Sequence, residues 1–225
     1  METSPLIQNK SENSQLSFHP LLKGVSHVLS VIFHPLFIPL YGTWLVIYTH
    51  SFLFAGFYGK KLFSVYASVF ANMILLTGVT VFLLKQVHFI QSIRMQTQKD
   101  RVIPYIATMT FYFWAFLVFK HQTAIPSLLT AFVLGSFLAV VIAFISNLVW
   151  KISMHALGMG GLVGLMFCFF SDPYYDITML LIIIILLSGM VCTSRLILGE
   201  HSLREIYLGF IFGVIAQLLA FWIIV

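Results

Sequence analysis

The sequence predicts an all-α fold, a polytopic bundle of about six or seven transmembrane helices with a polar site at the membrane interface. Two observations set the class. The 225-residue chain is 60% hydrophobic and only 8% charged, with a mean hydropathy of +1.00, which excludes an ordinary soluble domain. Its apolar runs are long and do not alternate, so they select helices over the strands of an outer-membrane barrel. A third observation places the site: the polar residues of the C-terminal half gather in short breaks between those runs. The net charge of +5 is scattered over loops, which argues against a nucleic-acid surface and fits a membrane surface or an anionic ligand. Cys168 and Cys192 lie inside apolar runs and read as core thiols, with no disulfide framework or metal motif.

Residues 1–24 are rich in Ser, Asn, Gln and Glu and read as a polar tail rather than a cleaved signal peptide, leaving residues 25–225 as one transmembrane domain. A first span from about His27 to His50 is interrupted by His34-Pro35 and Pro39, so a bent or partly re-entrant helix is expected. A second runs from about Leu62 to Leu84 behind the interfacial anchors Lys60 and Lys61. After a polar loop, Lys85 to Arg101, Pro104 is expected to open a third span ending near Phe119. The fourth runs from about Ile125 to Trp150. The fifth, His155 to Phe170, carries Gly158, Gly160, Gly161 and Gly164, which permit close helix contact. A sixth, Ile177 to Thr193, and a seventh, Ile206 to Val225, complete the chain.

Every span reverses the side of the membrane. Counting from one break to the next puts the loop at Arg94 to Arg101, the break at Ser153 to His155 and the stretch Ser194 to Glu205 on one face. Three co-facial polar breaks are what one interfacial site requires.

The last of these, Ser194-Arg195-Leu196-Ile197-Leu198-Gly199-Glu200-His201-Ser202-Leu203-Arg204-Glu205, is the most polar stretch of the C-terminal half. If its second part is helical, His201 and Glu205 lie one turn apart on one face, and a carboxylate there would hold the imidazole in one tautomer. Ser-Arg, five residues, His, three residues, an acid resembles the third signature of the type 2 phosphatidic acid phosphatase superfamily, which includes bacterial lipid phosphatases and the vanadium haloperoxidases. Glu205 stands where that family usually has Asp. Ser153-Met154-His155 resembles the second signature, Pro-Ser-Gly-His, with Ile152 for Pro and Met154 for Gly. Arg94 and Arg101 enclose six residues, as the Lys and Arg of the first signature do; Lys99 is the alternative first cation, at a different spacing.

The resemblance implies an integral-membrane phosphatase that needs no metal or other cofactor. His201, oriented by Glu205, would attack phosphorus and form a phosphohistidine, with His155 as general acid. Arg101, Arg195, Arg94 (or Lys99) and Ser153 would hold the phosphoryl oxygens. The implied substrate is a phosphorylated lipid: a polyprenyl diphosphate, phosphatidic acid or phosphatidylglycerol phosphate. Blander readings stand beside these: Lys and Arg at span ends as interfacial anchors, and Ser153 as a helix cap. His34, in its His-Pro pair, is the residue outside the motifs to watch. A relative that binds an anionic lipid or serves as a membrane subunit without turnover is the alternative function; a transporter fits less well, since the breaks lie at span ends. The setting implied is the inner membrane of a cell. All but Lys60, Lys61 and Lys120 of the 12 basic residues fall on the site's face, which by charge alone points to the cytoplasm; family members generally face outward, and that side is the expectation.

Overall fold

Prolines and small polar caps punctuate the apolar runs, and the helices begin where they fall. The computed structural model describes residues 18–90, 98–170 and 176–225, and among these no strand occurs. Helix α1 is Pro20–Ile32: Pro20 needs no donor at a first helical position, and His19 Nδ1 accepts the Leu21 N–H at 3.3 Å. The first helix therefore starts earlier than the polar tail reading of residues 1–24 allows. It packs on α8, Thr178–Ile197, burying Ser26 and Ser30 and leaving Leu21, Val25 and Val28 exposed as a lipid-facing side.

The expected bend at His34-Pro35 is a full break. A single 3-10 turn, Pro35–Phe37, separates α1 from α2, Ile38–Thr49, because Pro35 has no N–H to give to the Val31 carbonyl. The Tyr41 hydroxyl donates to the Ile32 carbonyl at 2.9 Å, supplying a partner at the frayed end. The next span is α3, Lys60–Val69, and α4, Leu76–Gln86, joined by a wider π turn over Phe70–Leu75.

Four further long or apolar helices are α5 (Gln98–Lys120), α6 (Ser127–Val149), α8 (Thr178–Ile197) and α9 (Leu203–Ile224), with the shorter α7 (Met154–Phe169) between α6 and α8. Pro104 lies inside α5 rather than opening it; the polar turn before it is already helical, with Asp100 favourably placed near the helix start. Likewise α8 continues past Thr193 to Ile197, so Arg195 is a helical residue. Among the described residues six helical stretches are long and apolar enough to cross a membrane, the first being Pro20–Thr49 taken together. The chain is thus an all-α, multi-pass membrane protein.

At 16 residues α7 is about 24 Å long, short of the roughly 30 Å hydrocarbon core. It is also the most enclosed helix, held against α9 by glycines on both sides. A Cβ at Gly160 would overlap the Phe210 carbonyl, one at Gly213 the Leu157 carbonyl, and one at Gly209 would press on the Ser153 carbonyl. Gly164 meets the Val214 backbone in the same way. Gly158 and Gly161 do not share this contact; they face Ile38 and Gln217 and line a cavity.

Candidate active site

The tight α7–α9 seam sets the height at which two histidines sit. Ser202 caps α9, its hydroxyl accepting the Glu205 N–H at 3.4 Å. Glu205 stands where a capping box would turn it back to Ser202, but its carboxylate reaches His201 instead, Nδ1 to Oε2 at 2.6 Å. His201 lies just outside the helix rather than on its first turn, and the longer arm of Glu closes that gap. With Nδ1–H given to the carboxylate, Nε2 keeps its lone pair. Burial holds the His201 imidazole below its ordinary pKa of 6.5; Glu205 pulls upward through its hydrogen bond, and Lys151 and Arg195 push down. The ring is neutral at neutral pH and armed at Nε2.

Arg195 occupies the last turn of α8 with only 9% of its surface exposed. One Nη donates to Ser30 Oγ at 3.3 Å, the other lies 3.6 Å from the Glu200 carboxylate, and Nε finds no hydrogen-bond partner among the described residues. Glu200 is brought there by the end of α8. Gly199 takes the left-handed conformation at φ +67°, and the Glu200 N–H folds back to the Arg195 carbonyl at 3.2 Å. Lys151 Nζ then pins the Glu200 carbonyl at 2.8 Å.

His155, in the first turn of α7, donates Nε2–H to the Ser30 carbonyl at 2.9 Å. That carbonyl is free because α1 ends there: the His34 N–H goes to Val31 rather than to Ser30. Ser30 thus holds Arg195 by its hydroxyl and His155 by its carbonyl. The rings of His34 and His155 meet edge to face, centroids 5.5 Å apart.

Arg101 donates to Asn147 Oδ1 at 3.3 Å, and Asn147 Nδ2 donates to the Gln98 carbonyl at 3.1 Å, tying α5 to α6. Ser153 is a different case from its expected role. It is fully buried, its hydroxyl accepts the Ala156 N–H as the cap of α7, and its own N–H donates to the Glu205 carbonyl at 3.1 Å. The residue type that caps helices also binds phosphate, and here the helix uses it. Arg94 lies outside the described residues, as does the Lys99 side chain. Met154, in the place of the family's glycine, accepts a hydrogen bond from the Tyr105 hydroxyl at 3.2 Å.

One cavity of about 780 Å³ takes in His34, Arg101, Lys151, His155, Arg195 and His201. It then descends between α4, α5 and α7 past Val81, Pro104 and Leu157 to Tyr112, Ser136 and Gln217. From the level of Glu205 to that of Gln217, α9 rises about 18 Å, comparable with one leaflet of a roughly 30 Å core. Ser30, Lys151, Glu200 and Asn147 are site residues that motif reading missed; their roles come from tertiary neighbours, though the polar break at Lys151 was visible. Among the described residues no group of three His, Cys, Asp or Glu side chains converges to hold a metal ion. The arrangement supplies a buried guanidinium with a donor to spare, further cations, an imidazole whose Nε2 keeps its lone pair and a second imidazole on a separate helix. This is the donor set an oxyanion needs. No protein-family model, no curated protein and no solved structure matches the chain.

Proposed function

We propose that the protein is a membrane-embedded phosphatase of lipid phosphates or diphosphates, of the type 2 phosphatidic acid phosphatase kind. The observation that carries this reading is a buried Arg195 with an unsatisfied Nε, sharing a cavity with His155 and the Glu205-paired His201. Each part has a role. His201 Nε2 attacks phosphorus; the P–O bond to the lipid breaks as the N–P bond forms, and His155, neutral before the substrate enters but taking up a proton at Nδ1 along with the anionic headgroup, gives that proton to the leaving oxygen. Water then attacks the phosphohistidine, His155 takes the water's proton, and phosphate leaves with His201 restored. Arg195, Arg101 and Lys151 meet the charge spread over the equatorial oxygens.

The cavity's length supports a lipid substrate: a headgroup at the cationic end leaves room for a chain reaching the bilayer midplane. We place the protein in a cell's inner membrane with the site outward, following the family resemblance. Labelling of Arg204→Cys by a membrane-impermeant thiol reagent in intact cells is the expected result; labelling only after lysis reverses the side.

The test of activity is release of inorganic phosphate from phosphatidic acid or a polyprenyl diphosphate by detergent-purified protein in EDTA. His201→Ala is expected to lower turnover by about 10⁴-fold or more, as removal of a nucleophile does elsewhere, and His155→Ala to lower it severely, with melting temperatures preserved. A second reading, an anionic-lipid-binding protein without turnover, is favoured by Glu200 already occupying Arg195 and by the Met154 side chain in the cavity. Lipid binding that survives His201→Ala, with no phosphate released by the wild type, selects it.

A further inference from the structure

We propose that His34 touches the substrate as a fixed, neutral hydrogen-bond donor to the phosphoryl oxygens, complementary to the proton-carrying His155. This deepens the phosphatase reading and rests on it. Pro35 ends α1, which leaves His34 as the cap of the Pro35–Phe37 turn, and its Nδ1 accepts the Leu36 N–H at 3.2 Å. A ring nitrogen that accepts a hydrogen bond carries no proton, so the neutral ring has its proton on Nε2. Protonating Nδ1 as well would set two N–H groups against each other and forfeit the cap. The local backbone therefore selects the neutral form and one tautomer.

His155 is wired the other way. Its Nε2–H is given to the Ser30 carbonyl, which leaves Nδ1 open. Burial and Arg195 hold the ring neutral, with a pKa pushed down to about 3, until an anionic headgroup arrives, and it can then take a second proton at Nδ1 without disturbing the anchor. The two rings stand edge to face in the same cavity, and His34 is exposed within it. One ring can shuttle a proton; the other cannot, and offers a constant donor where negative charge develops. The division requires no motif, only a proline after one histidine and a free carbonyl opposite the other.

Two variants separate the donor from the cap. His34→Ser keeps an acceptor for the Leu36 N–H and removes the donor. His34→Asn keeps the acceptor in Oδ1 and presents an N–H in its amide. Both are expected to melt with the wild type. In the EDTA phosphate-release assay His34→Ser should lose about 10²–10³-fold in kcat, the usual cost of one such donor. His34→Asn should recover at least about tenfold of that, and the acid limb of the pH profile should stay in place for both. Turnover of His34→Ser within about threefold of wild type overturns the assignment. Orthovanadate binding, measured by calorimetry, gives an independent reading. Weaker binding in His34→Ser supports the donor, and unchanged binding overturns it even if the wild type releases no phosphate, an outcome that would itself sink the phosphatase reading.

Discussion

The α7–α9 seam and the wall formed by α1 to α4 are built on opposite rules. In the seam, glycines let backbone meet backbone, and Gly160, Gly209 and Gly213 have no space for a methyl group. In the wall, Gly24 has nothing within 4 Å of its missing Cβ and Gly42 is closed off by the Phe132 ring rather than by backbone, prolines and a π turn interrupt the helices, and apolar side chains such as Leu21, Phe63 and Phe82 lie exposed. The difference teaches where precision is needed. His155 and His201 hang from the two helices whose separation is fixed most closely, while the wall completes the cavity and contributes His34 through a local turn that needs only its own backbone.

The contrast is broken most severely at the relay. Glu205→Gln keeps size and removes the charge, and a fall of about 10²–10⁴-fold in turnover is expected, as when the orienting carboxylate of a catalytic triad is neutralised. The same pair dictates a pH effect. On the proposed mechanism His201 attacks only when unprotonated, so activity should fall as pH drops through its pKa, which burial holds below 6.5 in the wild type. Glu205 raises the pKa, so Glu205→Gln should move the acid limb to lower pH. Lys151 lowers it, so Lys151→Met should move the limb to higher pH. A pH series of kcat/KM checks both signs.

Next in size is the seam itself. Gly213→Ala forces a methyl onto the Leu157 carbonyl and should destabilise by about 1–3 kcal/mol or more, read as a lower unfolding temperature in detergent. A smaller change is expected at Glu200. Removing its charge with Glu200→Gln frees Arg195 from its 3.6 Å ion pair, and orthovanadate should bind about threefold to tenfold more tightly, a modest figure because the carboxylate is partly exposed. Smallest is Gly24→Ala in α1. The same substitution that harms the seam should here stabilise by up to about 1 kcal/mol, through helix propensity alone. Equal effects at Gly24 and Gly213 would erase the distinction between the two regions.

Much of this architecture is legible in the chain. Apolar runs too long for a soluble core announce the spans, and the gap of five residues between Arg195 and His201 places both near one helix boundary. Helix ends were less legible, for a physical reason. Hydropathy marks where lipid stops, whereas a helix continues into the interface: α5 starts at Gln98 and α8 ends at Ile197, and the overhanging turns carry Arg101 and Arg195. Contacts of the Ser30 kind were not legible at all. Nothing local to a serine in an apolar helix says that an arginine 165 positions away will meet its hydroxyl, and Ser153 could be told from a phosphate ligand only by its burial.

The π turn at Phe70–Leu75 has a consequence for the far wall of the cavity. Such a turn holds one residue more than an α-helical turn, and each residue advances an α-helix by about 100°. It therefore works as a swivel set permanently at one angle, aiming the stripe of Thr77, Gly78 and Val81 inward. Rewinding the segment as an α-helix with every residue kept would swing that stripe away by more than a quarter of a revolution, whereas deleting one residue of the turn would leave it in place.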